Sequence, residues 1–141
     1  MRFNQILVPV IGSQADEEVI QFACRLGKRD NCQVRAIYII TLKRDLPLDA
    51  EIEPEIQKAE EILNRMERIA IEHNYRIATD VLQAREVGPA IVNEAAGGGV
   101  DLIVMGFAYK RRFGEFSLGE AVPYVLENAP CRVILYHLCP S

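Results

Sequence analysis

The sequence predicts a Rossmann-like α/β fold, in which one parallel sheet is covered by helices on both faces. Five short apolar runs rich in β-branched residues alternate along the 141 residues with segments of helical periodicity. Strands that are joined through helices form right-handed crossovers, which make the strands parallel and cover both faces of the sheet. The length and a hydrophobic fraction of 50% are those of one globular domain, predicted over residues 1–141.

The first predicted strand is the apolar run at residues 4–11, which Gly12 and Ser13 end. Continuous hydrophobicity of this kind is typical of a strand buried on both faces. Ser13 is a suitable N-cap for a helix whose first turn is acidic, where the helix dipole favours negative charge. That helix is predicted to end within residues 27–31, and a second strand follows at residues 33–40.

The middle of the chain contains a loop, a long helix and a weaker strand. Residues 41–50 include Pro47 and several charges, and they are predicted as an exposed loop. From residue 51 to 72, apolar side chains recur every three or four positions, which indicates an amphipathic helix. Its charged side is interpreted as a solvated face; the alternative, a coiled-coil partner, would have only about three heptads. A third, less apolar strand is predicted at residues 76–82.

The last third of the chain repeats the alternation. A short helix from Val87 ends in three consecutive glycines and leads to a fourth strand at residues 100–105. Residues 106–116 are predicted as a loop, followed by a helix over residues 118–128. A proline then closes the helix, and residues 131–136 form the fifth strand.

The predicted binding region lies beyond the carboxyl ends of the first and fourth strands, at residues 11–13 and 106–120. In parallel sheets, ligands bind at this edge, at the point where the strand order reverses. The chain contains no Gly-x-Ser-x-Gly elbow, no Walker A motif and no His-Glu-x-x-His motif. We therefore predict a protein that is not an enzyme, with weak nucleotidase activity as the alternative.

Charge and hydropathy exclude several classes of function. A net charge of −4 argues against a broad interaction with nucleic acid or with anionic lipid. No apolar run approaches the ~20 residues of a membrane span, and residues 1–5 lack the features of a secretory signal. The prediction is a cytoplasmic protein with no nucleic-acid partner and no membrane insertion.

The four cysteines form no CxxC pair, so in a reducing compartment they are interpreted as free thiols. Most of the four are expected to be small buried hydrophobes. Cys131, His137 and Cys139 are close enough in sequence to suggest a metal site, but they leave the four-ligand shell of zinc incomplete. No metal is predicted.

Four segments resemble universal stress proteins. ILVPVIGS at residues 6–13 resembles their opening strand, and GPAIV at residues 88–92 resembles their third helix. DLIVMG at residues 101–106 resembles their fourth strand, and APCRVIL at residues 129–135 their closing strand. The resemblance implies a five-stranded sheet of the adenine nucleotide α-hydrolase-like type, with strand order 3-2-1-4-5. It also implies dimers through the last strand, and roles in stress tolerance, nucleotide sensing or regulation of other proteins.

The ATP-binding signature of the family is incomplete in this chain. ATP-binding members carry an acid at the end of the first strand, and here that position is Ile11. They also carry Gly-x2-Gly-x9-Gly followed by Ser or Thr after the fourth strand. Gly106 and Gly119 keep the outer glycines, whereas Tyr109 replaces the middle glycine and Glu120 replaces the hydroxyl residue.

These replacements oppose ATP. A ring at Tyr109 disfavours the open backbone that cradles phosphates, and Glu120 places a carboxylate where phosphate oxygens would lie. Like charges at about 4 Å repel by roughly 1–4 kcal/mol across the relevant dielectrics. Ser117 and Glu120 have a second explanation as a capping box for the following helix.

Three consecutive cations lie within the predicted loop, at Lys110, Arg111 and Arg112. They are interpreted as a solvated loop tip; the alternative is a bound anion, such as another nucleotide or an acidic segment of a partner protein. Arg85 is expected at the same edge of the sheet. Gly12, after the first strand, and Ile39, near the end of the second, are added to this site. The candidate site therefore comprises ten residues: Ile11, Gly12, Ile39, Gly106, Tyr109, Lys110, Arg111, Arg112, Gly119 and Glu120.

We interpret the chain as a homodimeric regulatory or stress-response module with no bound cofactor. The alternative is a sensor of a nucleotide other than ATP or of another small anion, including the cytosolic domain of a transporter or kinase. A regulatory protein or a transporter is the other predicted partner. The dimer is predicted through the last strand, whose apolar edge invites pairing with a second copy; its residues are Arg132, Val133, Ile134, Leu135 and Tyr136.

Overall fold

Strands and helices alternate through the computed structural model, which describes residues 2–108, 110–112, 115–117 and 121–138. In chain order the elements are β1 (Gln5–Val10), α1 (Ala15–Asp30), β2 (Gln33–Thr41), α2 (Glu53–Glu72), β3 (Ala78–Ala84), α3 (Val87–Gly97), β4 (Leu102–Ala108), β5 (Lys110–Arg112), β6 (Glu115–Ser117), α4 (Ala121–Asn128) and β7 (Arg132–Leu138). Within these residues no helix is both long and apolar enough to cross a membrane.

The main sheet has five parallel strands in the order β3-β2-β1-β4-β7. This confirms the predicted order 3-2-1-4-5, because β7 is the fifth strand of this sheet. The order reverses between β1 and β4, which are neighbours although two strands and three helices separate them in the chain. The carboxyl ends of β1 and β4 therefore lie side by side, where a ligand site is expected.

The two faces of the sheet each carry a hydrophobic cluster. Alternate residues of β1 divide between them, because side chains along a strand point to opposite faces. Ile6 and Val8 join the cluster that contains residues of α1 and α2, whereas Leu7 joins the cluster that contains residues of α3 and α4. The prediction that helices cover both faces is confirmed.

The prediction of a loop over residues 106–116 is wrong for most of these residues. β4 continues to Ala108 and pairs with β7 as far as Leu138. Phe107 favours this extension, since its ring packs against the second cluster and stacks on His137 with ring centroids 5.1 Å apart. After β4, β5 and β6 form an antiparallel hairpin in which Lys110 lies opposite Ser117 and Arg112 opposite Glu115.

Helix α1 ends at Asp30, within the range of residues 27–31 predicted for its end. Gly27 does not end the helix; it leaves room for the ring of Tyr75, which an added Cβ would approach to 2.8 Å. The helix ends at Asn31, which adopts a left-handed conformation with φ 54°. The amides of Asn31 and Cys32 then both donate to the carbonyl of Gly27, which caps the helix.

Candidate functional site

The structure brings part of the predicted site together at the carboxyl edge of the sheet. Ile11 and Gly12 directly follow β1, and Gly106 lies in the neighbouring strand β4. Ile39 lies near the end of β2, on the other side of β1, and packs against the cluster that contains α3 and α4. Lys110, Arg111 and Arg112 form β5. Three further predicted site residues lie outside the described residues: Tyr109, Gly119 and Glu120.

Ile11 presents hydrocarbon at this edge. The residue is 60% exposed, and its side chain has no polar atom that could hydrogen-bond a ribose or a base. The next residue, Gly12, has φ +83°, and an added Cβ would lie 2.9 Å from Cδ1 of Ile62 on α2. The positive φ favours glycine at position 12, whereas the end of the Ile62 side chain could move aside for a Cβ.

Asp16 is the main residue of this edge that the sequence analysis did not assign to the site. Its side chain is only 4% exposed. Its Oδ2 accepts hydrogen bonds from the amides of Gly12 at 2.6 Å and Ser13 at 3.1 Å, and the amide of Ile11 lies 3.2 Å from both carboxylate oxygens. Three successive amides that converge in this way form an anion-binding concavity. In this protein the anion at the three amides is the side-chain carboxylate of Asp16.

Several neighbours offset part of the cost of burying the charge of Asp16. Burial raises the pKa of Asp16 above its ordinary value, although its bonds to the three amides and the nearby Arg65 guanidinium act in the opposite direction. Nη2 of Arg65 also lies 3.2 Å from Oε2 of Glu17, which joins the middle of α2 to the first turn of α1. An external anion at the three amides would have to displace a buried carboxylate that is already hydrogen-bonded.

One sequence signal could have identified this role of Asp16. The residue stands three positions after Ser13, which is the spacing at which an acid reaches back to a backbone amide in a capping box. The helix dipole also favours an acid in the first turn without any such contact, so the acidic first turn alone does not indicate a bond to these amides. Ser13 itself is not the N-cap, since that position belongs to Gln14; its hydroxyl accepts a bond from the amide of Ala15 at 3.2 Å. The capping box predicted for Ser117 and Glu120 falls outside the described residues.

Gly106, the first glycine of the signature, has a packing role. It lies in β4 opposite Tyr136 of β7. An added Cβ would lie 2.5 Å from Cγ2 of Val19 and 3.5 Å from Cβ of Ala15, both on α1. Helix α1 thus packs directly on the backbone of β4 at this point, which explains the glycine without a bound phosphate.

The residues predicted for the dimer lie in β7 at one end of the sheet. Arg132 is exposed, and the next four residues are half-buried. Ile134 and Tyr136 pack toward the α1 face, whereas Val133 and Leu135 pack toward the α4 face. Among the described strands, β7 pairs only with β4. Its other edge is thus a row of backbone groups with apolar side chains on both sides.

The opposite end of the sheet, strand β3, differs in chemistry. Nη1 of Arg35 lies 2.9 Å from Oδ2 of Asp80, and the same guanidinium also pairs with Glu94 of α3. Oγ1 of Thr79 donates to Oε1 of Glu67 on α2 at 2.7 Å. Beyond the carboxyl end of β3 is an open groove of about 230 Å³, where Arg85 donates to the carbonyl of Lys43. Charged and polar contacts therefore characterise this end of the sheet.

The cysteines of the described residues are free thiols, as expected. Cys24 and Cys32 are buried, and burial raises the pKa of Cys24 to about 11. A thiol with so high a pKa remains protonated at neutral pH and is a poor metal ligand. The structure brings no three metal-ligating side chains together within its described part, and Cys139 lies outside that part.

Comparison with known proteins agrees with this architecture. A universal stress protein of Methanocaldococcus jannaschii is 28% identical over 139 residues, which cover 94% of this chain and 81% of the relative. The universal stress protein UspA of Lactobacillus plantarum superposes with a TM-score of 0.76 at 22% identity, covering 96% of this chain and 99% of that one. The universal stress protein of Archaeoglobus fulgidus in complex with dAMP gives a TM-score of 0.75 at 23% identity, covering 96% and 98%.

These likenesses establish the fold, and the family follows from the sequence as a whole. The model of the universal stress protein family matches residues 2–137. Because this match spans nearly the whole chain, the protein belongs to the universal stress protein family.

Proposed function

We propose that the protein is a homodimeric regulatory module of the universal stress type, which does not bind ATP in the usual manner of the family. The observation that carries this proposal is the carboxylate of Asp16, which occupies the three amides after β1. Ile11 supports it, because an exposed hydrocarbon stands where ATP-binding members carry an acid. Tyr109 and Glu120 add two further departures from the signature in the sequence.

We also propose that the module is cytoplasmic and is not an enzyme. The sequence lacks the nucleophile and phosphate-binding motifs of hydrolases. At the candidate site, the carboxylate of Asp16 is already bound by three amides, which leaves it poorly placed to accept a proton from a substrate. Regulation through protein contacts is then the function that the remaining surfaces favour.

The proposed dimer forms through the free edge of β7. An unpaired edge with apolar neighbours is a template for another strand, whereas charged residues at an edge oppose pairing. The β7 edge has apolar residues on both faces, whereas β3 carries Asp80, which pairs with Arg35 of the neighbouring strand β2. A second copy would pair its own β7 with this edge, which gives a two-fold interface.

Light scattering tests the dimer directly. At micromolar concentration we expect a mass twice the 15.9 kDa of one chain. The substitution Ile134→Asp should weaken the dimer, because it places a carboxylate in the apolar part of β7, whereas Ile71→Asp, at a 63% exposed site on α2, should leave the mass unchanged. Far-UV circular dichroism would verify that each variant is folded. A wild-type mass equal to that of one chain would exclude the dimer.

The second candidate function is a sensor of a nucleotide other than ATP, including the cytosolic domain of a transporter or kinase. The exposed Ile11 and the half-buried Ile39 favour it, because they lie at the carboxyl ends of neighbouring strands and apolar side chains there could contact a base. The relative from Archaeoglobus fulgidus, whose structure contains dAMP, also supports it.

Thermal melts distinguish the two candidates. We would record them with ATP, ADP, AMP, GTP and cyclic nucleotides, each with magnesium. A ligand at a hundred times its dissociation constant should add about 2.7 kcal/mol of stability, which is several degrees for a domain of this size. We expect no shift with ATP. A clear ATP shift would contradict the proposal, and a shift confined to another nucleotide would favour the sensor.

A further inference from the structure

One short strand of this acidic chain consists of three consecutive cations. Lys110, Arg111 and Arg112 are the whole of β5, and the facing strand β6 contributes one acid, Glu115, in register with Arg112. These four residues have a net charge of +2. Because the net charge of the whole chain is −4, the rest of the chain has a net charge of −6. A negatively charged partner would be attracted to the hairpin and repelled by most of the remaining surface.

The backbone of the hairpin offers a second mode of recognition. β5 and β6 form a two-stranded sheet of their own, separate from the five-stranded sheet. Among the described residues, each of these two strands has only the other as a neighbour. The outer edge of a strand has amide and carbonyl groups that can pair with a further strand, and peptides bind to many domains by this addition.

We propose that the hairpin of β5 and β6 binds an acidic, extended peptide segment of a partner protein, which adds along β5 as a third strand. The cations of β5 attract the acidic side chains, and the backbone of the strand pairs with that of the peptide. This inference rests on the proposed function as a protein-binding module, and it names the class of partner for that module.

Two features favour a peptide over other anions. A nucleic acid extends over a large surface and would be repelled by the net charge of −6 on the remaining chain. A free phosphate could use the cations, but it has no backbone with which to pair along the edge of β5. An extended acidic peptide uses both the charge and the edge.

Fluorescence anisotropy with the full chain tests the site. The probe is a labelled peptide of alternating Glu and Val, about six residues long, which is a typical strand length. We expect binding that weakens as the salt concentration rises from about 10 mM to about 150 mM. The triple variant Lys110→Ser, Arg111→Ser and Arg112→Ser should bind roughly three- to a hundredfold more weakly, the sum expected for three ion pairs of about 0.2–1 kcal/mol each.

The control is a second triple variant, Lys28→Ser, Lys58→Ser and Arg68→Ser, which removes the same charge from exposed positions on α1 and α2. It should retain binding close to that of the wild type. Equal losses in the two variants would overturn the site, since only net charge would then matter. Absence of probe binding at low salt would overturn it as well.

Two further probes separate the peptide from other ligands. A version of the peptide with N-methylated amides should bind much more weakly, because it cannot pair along a strand; equal binding would overturn the strand addition. Inorganic triphosphate should compete only weakly, because it can use the cations but not the strand edge; full competition at the concentration of the peptide would identify a small-anion site instead. The dimer mass and the nucleotide melts test the module separately, so a failed peptide experiment would not be confused with a failure of the proposed function.

Discussion

Replacing Gly106 with alanine should lower the free energy of unfolding by about 1–3 kcal/mol, the usual cost of overpacking a core. The new methyl group would lie 2.5 Å from Cγ2 of Val19, and Ala15 on the same helix is also close. Helix α1 would have to move away from β4, which would disturb the α1 face of the sheet. Urea denaturation of the wild type and the variant measures the difference.

The control for this experiment is Gly97→Ala, at the last residue of α3. An added Cβ there has no atom within 4 Å, so the variant should be as stable as the wild type or slightly more stable. A Gly106→Ala protein with wild-type stability would show that α1 is not in close contact with β4. Gly106 would then have to be explained by a ligand rather than by packing.

Removal of the carboxylate in Asp16→Ala should also destabilise the protein, by about 1–3 kcal/mol. The amides of Ile11, Gly12 and Ser13 would lose their acceptor, and water can replace it only at the exposed side of the turn. The matched substitution Asp49→Ala, at an exposed residue of the loop before α2, should change the stability little. Urea denaturation at neutral pH compares the two, and equal small effects would contradict the role of Asp16 in the turn.

The pH dependence of the same site has a defined sign. Burial raises the pKa of Asp16 above 3.8, so its protonated form is favoured in the folded state relative to the unfolded one. The stability that this preference adds is fully present below the unfolded pKa of 3.8 and is lost as the pH rises through the folded value. Relative to Asp16→Asn, which does not titrate, the wild type should therefore lose stability as the pH rises from below 3.8 to neutral. A relative gain over this range would mean that the three amide bonds outweigh the burial.

The sheet could be predicted from the sequence because its signal is redundant. Strands buried on both faces must be apolar throughout, as Ile6 to Val10 are, and such runs are hard to mistake when helices separate them. The strand order followed from the family resemblance. Element ends were less certain, as at Gly27, because a glycine can end a helix or can make room for a neighbour such as Tyr75.

The site was harder to predict, for two physical reasons. The hairpin of β5 and β6 consists of three-residue strands, too short for a periodic pattern, and the glycines around them also suit a loop. An acid at position 16, in the first turn of α1, can be explained by the helix dipole or by a capping box. Only the structure shows that its carboxylate turns back to the amides after β1. In both cases the decisive information is three-dimensional, since it depends on which backbone groups come close together.

The contrast between the two ends of the sheet also limits the size that an assembly can reach. A sheet with two open edges can add copies without end and grow into a fibre. At β3, the ion pair of Arg35 with Asp80 and the bond between Thr79 and Glu67 disfavour such growth. Pairing through β7 would use the remaining open edge of the five-stranded sheet in both copies, so assembly through this sheet would stop at two.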